Sequence, residues 1–255
     1  MFKWFLWIYA FLAMQGAQAA QPESLLTVAV TANFESAFQR LQPLFEKKYA
    51  ISVTPVFGST GKLTAQIMHG APFDVFLAGD QAHIQQLEAA GLADSADRVR
   101  YARGELVAYG PRLQLAQTGL TPALCATIDK IAIANPHAAP YGAAAQQVIH
   151  HLHLEQALRA KLVTGESVGQ VAAFLEARTV DIGFIARAQW LTLLKSRHSM
   201  RPEAAWVIPQ AYYTPLIHYA TLVKTTPVRK NARLFLAFLK TRAAQQVIAA
   251  EGYTP

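Results

Sequence analysis

The sequence predicts an α/β fold, a parallel sheet with helices on its faces, and three observations carry that expectation. Short apolar runs rich in β-branched residues recur along the chain, at Leu26–Val30, Ile51–Phe57, Ile131–Ala134 and Val180–Ile185. Each is followed by a segment that reads as a helix, most clearly after the first run, where apolar residues fall three and four apart. The turns joining strand to helix are short and, early in the chain, rich in small and hydroxyl-bearing residues.

The chain starts with a leader. Met1–Ala19 holds one basic residue, Lys3, an apolar run from Trp4 to Ala13 and the small-residue pattern Ala17-Gln18-Ala19. This is the layout of a secretory signal peptide cut after Ala19, and its apolar core is short for a membrane span. The expected location is the periplasm. Lys3 is the one charge in the leader, so the mature chain carries +6 where the whole carries +7. No Lys/Arg run exceeds two and no aromatic-interleaved basic stripe occurs, which argues against nucleic acid and leaves anionic ligands as the expected partners. A single cysteine, Cys125, excludes an internal disulfide and a multi-cysteine zinc site, and reads as a small buried apolar residue.

Strand Leu26–Val30 leads through Thr31-Ala32-Asn33 into a helix faced by Phe34, Ala37, Phe38, Leu41 and Phe45, with Asn33 as the expected N-cap. Pro43 lies inside this pattern and is expected to kink or interrupt it. Strand Ile51–Phe57 leads through Gly58-Ser59-Thr60-Gly61-Lys62 into a second helix. Gly61-Lys62 is reminiscent of a phosphate loop, but the pattern needs Gly at Val56 and Ser or Thr at Leu63, so nucleotide binding is rejected. A third strand ends at Ala78, with Asp80 placed to cap helix Gln81–Ala90 and Gly91 to stop it. Each strand-to-helix turn sets free backbone donors and the positive end of a helix dipole at a sheet's carboxyl edge, a geometry that binds anions.

Glu105–Tyr109 is another strand, and Gly110-Pro111 the first candidate boundary. Ile131–Ala134 then passes through Asn135-Pro136 and Pro140-Tyr141-Gly142 into a helix carrying His150, His151 and His153, which read as a solvated face. Thr164-Gly165-Glu166-Ser167-Val168 opens a helix capped by Ser167 or Thr164. Helix Arg187–Lys195 follows strand Val180–Ile185. Strands Val207–Pro209 and Ile217–Val223 and helices Val228–Lys240 and Ala243–Ala250 close the chain, and this last segment is expected to pack back on the first domain.

These motifs, in this order, resemble the periplasmic molybdate-binding protein family of the molybdate ABC transporter, whose members are class II solute-binding proteins. Ala32-Asn33-Phe34 is similar to the family's first anion turn, Phe57–Leu63 to its second, and Gly70-Ala71-Pro72-Phe73-Asp74-Val75-Phe76 to its most specific signature. Asn135-Pro136 with Pro140-Tyr141-Gly142 resembles the third turn, Glu166-Ser167-Val168 the fourth, and Gly252-Tyr253 its closing segment. The resemblance implies two three-layer lobes with a ligand cleft between them, one over residues 20–104 plus 221–255, the other over 105–220. It implies ligand contacts at Asn33, Thr60, Tyr141 and Val168, with Thr31, Ala32 and Ser59 adjacent. Tyr141 and Val168 would act through backbone N–H groups. Family members often place a ligand-contacting Tyr where this chain has Ala186, so that contact is absent here and Asn33 compensates from the opposite lobe.

The function so implied is that of a monomeric carrier, not an enzyme. It would bind molybdate or tungstate through neutral donors, need no cofactor or direct protein–metal bond, and deliver the oxyanion to a membrane permease. The alternatives are a sulfate or thiosulfate carrier, a secreted phosphoryl-transfer or hydrolytic enzyme, and a ligand-free interaction module. No Ser/His/Asp order or paired carboxylates support the enzyme.

Overall fold

A computed structural model describes residues 25–196 and 201–254. The expected leader, Met1–Ala19, lies outside the described residues. The chain begins with β1 (Leu25–Thr31), α1 (Glu35–Tyr49), β2 (Ser52–Gly58), α2 (Thr60–Met68), β3 (Val75–Ala78), α3 (Ala82–Ala89) and β4 (Val99–Gly104). It then runs through β5 (Leu106–Tyr109), α4 (Leu115–Thr118), α5 (Pro122–Thr127), β6 (Ile131–Ala134), α6 (Pro140–His151), α7 (Glu155–Leu158), β7 (Leu162–Gly165), α8 (Val168–Glu176), β8 (Ile182–Ala186), α9 (Arg187–Ser196) and β9 (Ala205–Val207). It closes with β10 (Leu216–Leu222), α10 (Arg229–Leu239) and α11 (Arg242–Ala250).

Two five-stranded sheets result, ordered β2-β1-β3-β10-β4 and β7-β6-β8-β5-β9. In each, three parallel strands are joined by an antiparallel fourth, β10 against β3 and β5 against β8. The topology is a two-lobed α/β fold of the class II type. β1 has its sequence successors on either side, as does β6. The strand order therefore reverses beside the carboxyl end of each, the position where open α/β sheets leave a ligand crevice.

The lobes have separate cores. β1, α1, α10 and α11 pack Phe34, Phe38, Phe45, Phe235 and Phe238 together, while Val107, Ile131, Ile133, Val148 and Phe184 centre the second core. The stripe read from the sequence, Ala37, Phe38, Leu41 and Phe45, is fully buried, each large member contributing ~1.5–3 kcal/mol of apolar burial. Pro43 does not interrupt α1, which runs through it. Pro43 is exposed, and so is Gln39, whose carbonyl it leaves without a donor, so water can take the place of the missing bond.

Two further expectations change. β4 was not foreseen: Arg100 and Arg103 break up its apolar pattern, as charges on an edge strand often do. The expected boundary at 221 falls inside β10, yet that strand pairs with β3 and β4 from Leu216 onward. The chain thus re-enters the first sheet at Leu216, and its backbone ladder keeps the strand in one lobe. Asp74, in the Gly-Ala-Pro-Phe-Asp segment, is buried and accepts hydrogen bonds from Thr27 N and Thr226 Oγ1, tying β1 to the returning chain. Cys125 is buried and free.

Candidate functional site

The turns after β1, β2, β6 and β7 meet where the two lobes face each other. Gly61 N, in the first turn of α2, donates to Ala138 O ahead of α6 at 2.8 Å. Lys62 pairs with Glu166 across the lobes. Ala32 lies against Gly169 at the start of α8, and Gly79 against Pro140. The structure brings all seven expected residues into this region, Thr31, Ala32, Asn33, Ser59, Thr60, Tyr141 and Val168, and none is more than 8 % exposed. The cleft is closed over them.

Their side chains form one directed hydrogen-bond network. Tyr253 Oη donates to the Asn33 carbonyl, so its oxygen must accept from Asn33 Nδ2, 3.2 Å away. That fixes the carboxamide, and its Oδ1 accepts from Thr31 Oγ1 at 2.9 Å. Thr31 has then spent its only hydrogen, so Thr60 Oγ1 donates to Thr31 Oγ1 at 2.9 Å and itself accepts from Gly79 N at 3.2 Å. Tyr141 Oη and Asn33 Nδ2 both face His218 Nε2, at 3.4 and 3.5 Å. The Asn33 side chain caps no helix, contrary to expectation. One turn of 3₁₀ helix, Ala32–Phe34, precedes α1 instead, and the carboxamide points into the network.

What remains uncommitted is informative. Ser59 Oγ is buried with no partner, although Ser59 precedes α2 and would ordinarily cap it. The opening backbone N–H groups of the Ala32–Phe34 turn, α2, α6 and α8 are those every helix start leaves without an internal partner. At α8 the Ser167 side chain, one of the two expected caps, accepts from Gln170 N and so leaves Val168 N free of it.

The electrostatics are those of a neutral chamber. Lys62 and Glu166 are each more than half exposed at its mouth, a pairing that contributes little to stability. Burial holds the Tyr141, Tyr253 and Tyr101 hydroxyls well above the usual tyrosine range, and pushes His218 down to about 3 against a weaker upward pull from Asp80. At neutral pH every side chain in the network is uncharged.

Tyr141 does more than its backbone. Its ring inserts between the lobes, and a Cβ on Gly104 would lie 1.9 Å from its hydroxyl. Glycine is required there by close approach. The sequence reading missed His218, Tyr101 and Gly104; a lone histidine inside the buried strand Leu216–Leu222 was the available signal. Ala186 is buried and its N–H is taken by Gln189 Oε1 at 3.1 Å. The histidine face of α6 stands apart: His150 pairs with Glu155, and His151 stacks on Tyr212 at 4.0 Å. Among the described residues no cluster of His, Cys, Asp and Glu is arranged to hold a metal ion.

Residues 26–254 match the family described as bacterial extracellular solute-binding protein. A molybdate-binding protein ModA from Rhodobacter capsulatus is 34% identical over 226 residues, covering 88% of this chain and 86% of its own. Its counterpart from Azotobacter vinelandii is also 34% identical, over 242 residues and 93% and 91% of the two chains. The chain belongs to the ModA family of solute-binding proteins. The solved Azotobacter vinelandii periplasmic molybdate-binding protein superposes with a TM-score of 0.83 at 33% identity, over 90% of this chain and 99% of that one.

Proposed function

We propose that this chain is the exported, periplasmic binding component of an ABC importer, and that its ligand is molybdate or tungstate. The single observation that carries the reading is the donor inventory of the closed cleft. Ser59 Oγ–H, the opening N–H groups at Asn33, Thr60, Tyr141 and Val168 and, deeper in, His218 Nδ1–H are the uncommitted polar groups, and they are donors. Thr31, Thr60 and Asn33 act through their side chains as the scaffold that holds these donors in place, and Ala32 supplies the backbone turn.

A fully deprotonated tetrahedral oxyanion offers acceptors only and suits such a shell. Phosphate near neutral pH keeps a proton, which would face a donor and cost about 1–3 kcal/mol for the group left unpaired. Four helix starts stabilise the dianion without a lysine or arginine. The ModA relatives, which are named for molybdate, support the choice of anion. Their coverage of the chain favours a carrier over an enzyme, with a membrane permease as the partner that receives the ligand.

Titration calorimetry on the mature protein with molybdate, tungstate, sulfate and phosphate tests this. Heats with molybdate and tungstate alone are expected. Equal binding of sulfate would make it a general dianion carrier, and no heat with any anion would end the proposal.

A further inference from the structure

The imidazole of His218 is fully buried, lies on the strand that re-enters the first lobe, and belongs to none of the four helix-start turns. Tyr101 from β4, Tyr141 from α6 and Tyr253 from the C-terminal segment enclose it, with ring centroids 5.7, 6.0 and 5.4 Å away. The β4–β10 register shifts between His218 and Tyr219, an irregularity of the kind that re-aims a side chain beside a functional site. Its Nε2 faces one group from each lobe, Asn33 Nδ2 from the first and Tyr141 Oη from the second. The Asn33 amide has only hydrogens to offer, so Nε2 accepts and the ring hydrogen sits on Nδ1, which is buried and unpartnered.

We infer that His218 is a positioning residue that works as a neutral acceptor, coupling the Asn33 turn of the first lobe to Tyr141 of the second and so setting the closed geometry in which donors from both lobes meet one oxyanion. The inference rests on the carrier reading and extends it. A second proton on Nε2 would face the Asn33 amide donor inside a ring of three tyrosines. The one carboxylate that acts on the ring is Asp80, which is itself engaged by His83. Closing the lobes over an imidazolium is therefore unfavourable, and a protonated His218 favours the open form.

The sign of the pH effect follows. When the lobes part, Tyr141 withdraws, water reaches Nε2 and the ring's affinity for protons rises towards the ordinary one, so the open form binds more protons below about pH 6.5. Closure, and with it ligand affinity, weakens as pH falls. Between pH 7.5 and 5.5 the loss approaches ~10-fold, one proton's worth of linkage.

The test is calorimetric titration of the mature chain with micromolar molybdate across that range, on wild type, H218Q and H218L. Wild type should weaken towards pH 5.5. H218Q keeps an acceptor oxygen and cannot take up a proton, so its profile should be flat and its affinity at pH 7.5 should recover what H218L loses. A flat wild-type profile, the same slope in H218Q, or tighter wild-type binding on acidification would overturn the inference, the last by making His218 a countercharge to the anion. If wild type binds no anion at pH 7.5, the carrier reading fails instead. Small-angle scattering then still tests His218, which predicts that acid opens the lobes in wild type but not in H218Q; acid-insensitive lobes would reject it.

Discussion

The two lobes meet the same chamber with different chemistry. The first contributes a hydroxyl- and amide-rich cluster, Thr31, Asn33, Ser59 and Thr60, in which all but Ser59 spend their side-chain hydrogens on one another or on Tyr253 and His218. The second contributes two helix starts, at Tyr141 and Val168, whose side chains are apolar or turned towards Gly104 and His218 of the first lobe. The difference teaches that polar side chains around an anion site need not touch the anion. A buried hydroxyl with its one hydrogen committed is scaffold, and the backbone beside it is the donor.

Five variants at four positions sharpen this contrast. The largest effect belongs to the lobe whose donors are backbone alone. Val168→Pro removes one N–H at a helix position that tolerates proline and should weaken molybdate binding by about 1–3 kcal/mol, whereas Val168→Ala should leave it nearly unchanged; calorimetry on the pair separates backbone from side chain. Next, Ser59→Ala should weaken binding by ~1–2 kcal/mol while the thermal midpoint of the free protein stays level or rises, because a buried unpartnered hydroxyl is removed. Thr31→Val should do the reverse. It orphans Asn33 Oδ1, so denaturant unfolding of the free protein should lose about 1 kcal/mol, and affinity should change less than in Ser59→Ala. The smallest effect is His151→Ala, which breaks a ring stack outside the cleft and should leave the binding isotherm as it is.

Much of this architecture was legible because it rests on local pattern. Ile131–Ala134 is a strand over the span that its unbroken apolar run predicts, and the stripe from Ala37 to Phe45 packs as its spacing implies. β4 was not legible, since arginines on an edge strand erase alternation. The positions of the seven site residues were readable from short motifs, but the part played by Asn33 was not. Its carboxamide is oriented by Tyr253 and faced by His218, partners 220 and 185 residues away along the chain. An asparagine ahead of a helix reads as a cap until those partners are in place. Pro43 misled for a related reason: its cost depends on whether water reaches the freed backbone, which only the packing decides.

The measurement that bears most directly on this division is a crystal structure of the mature protein with molybdate, the metal located by its anomalous signal. The account predicts oxyanion oxygens within hydrogen-bond distance of Ser59 Oγ and of the Asn33, Thr60, Tyr141 and Val168 backbone nitrogens, with the Asn33 carboxamide still bonded to Thr31 and Tyr253. A molybdate held by Asn33 Nδ2 or by the Lys62 ammonium, with the network broken to reach it, would contradict it.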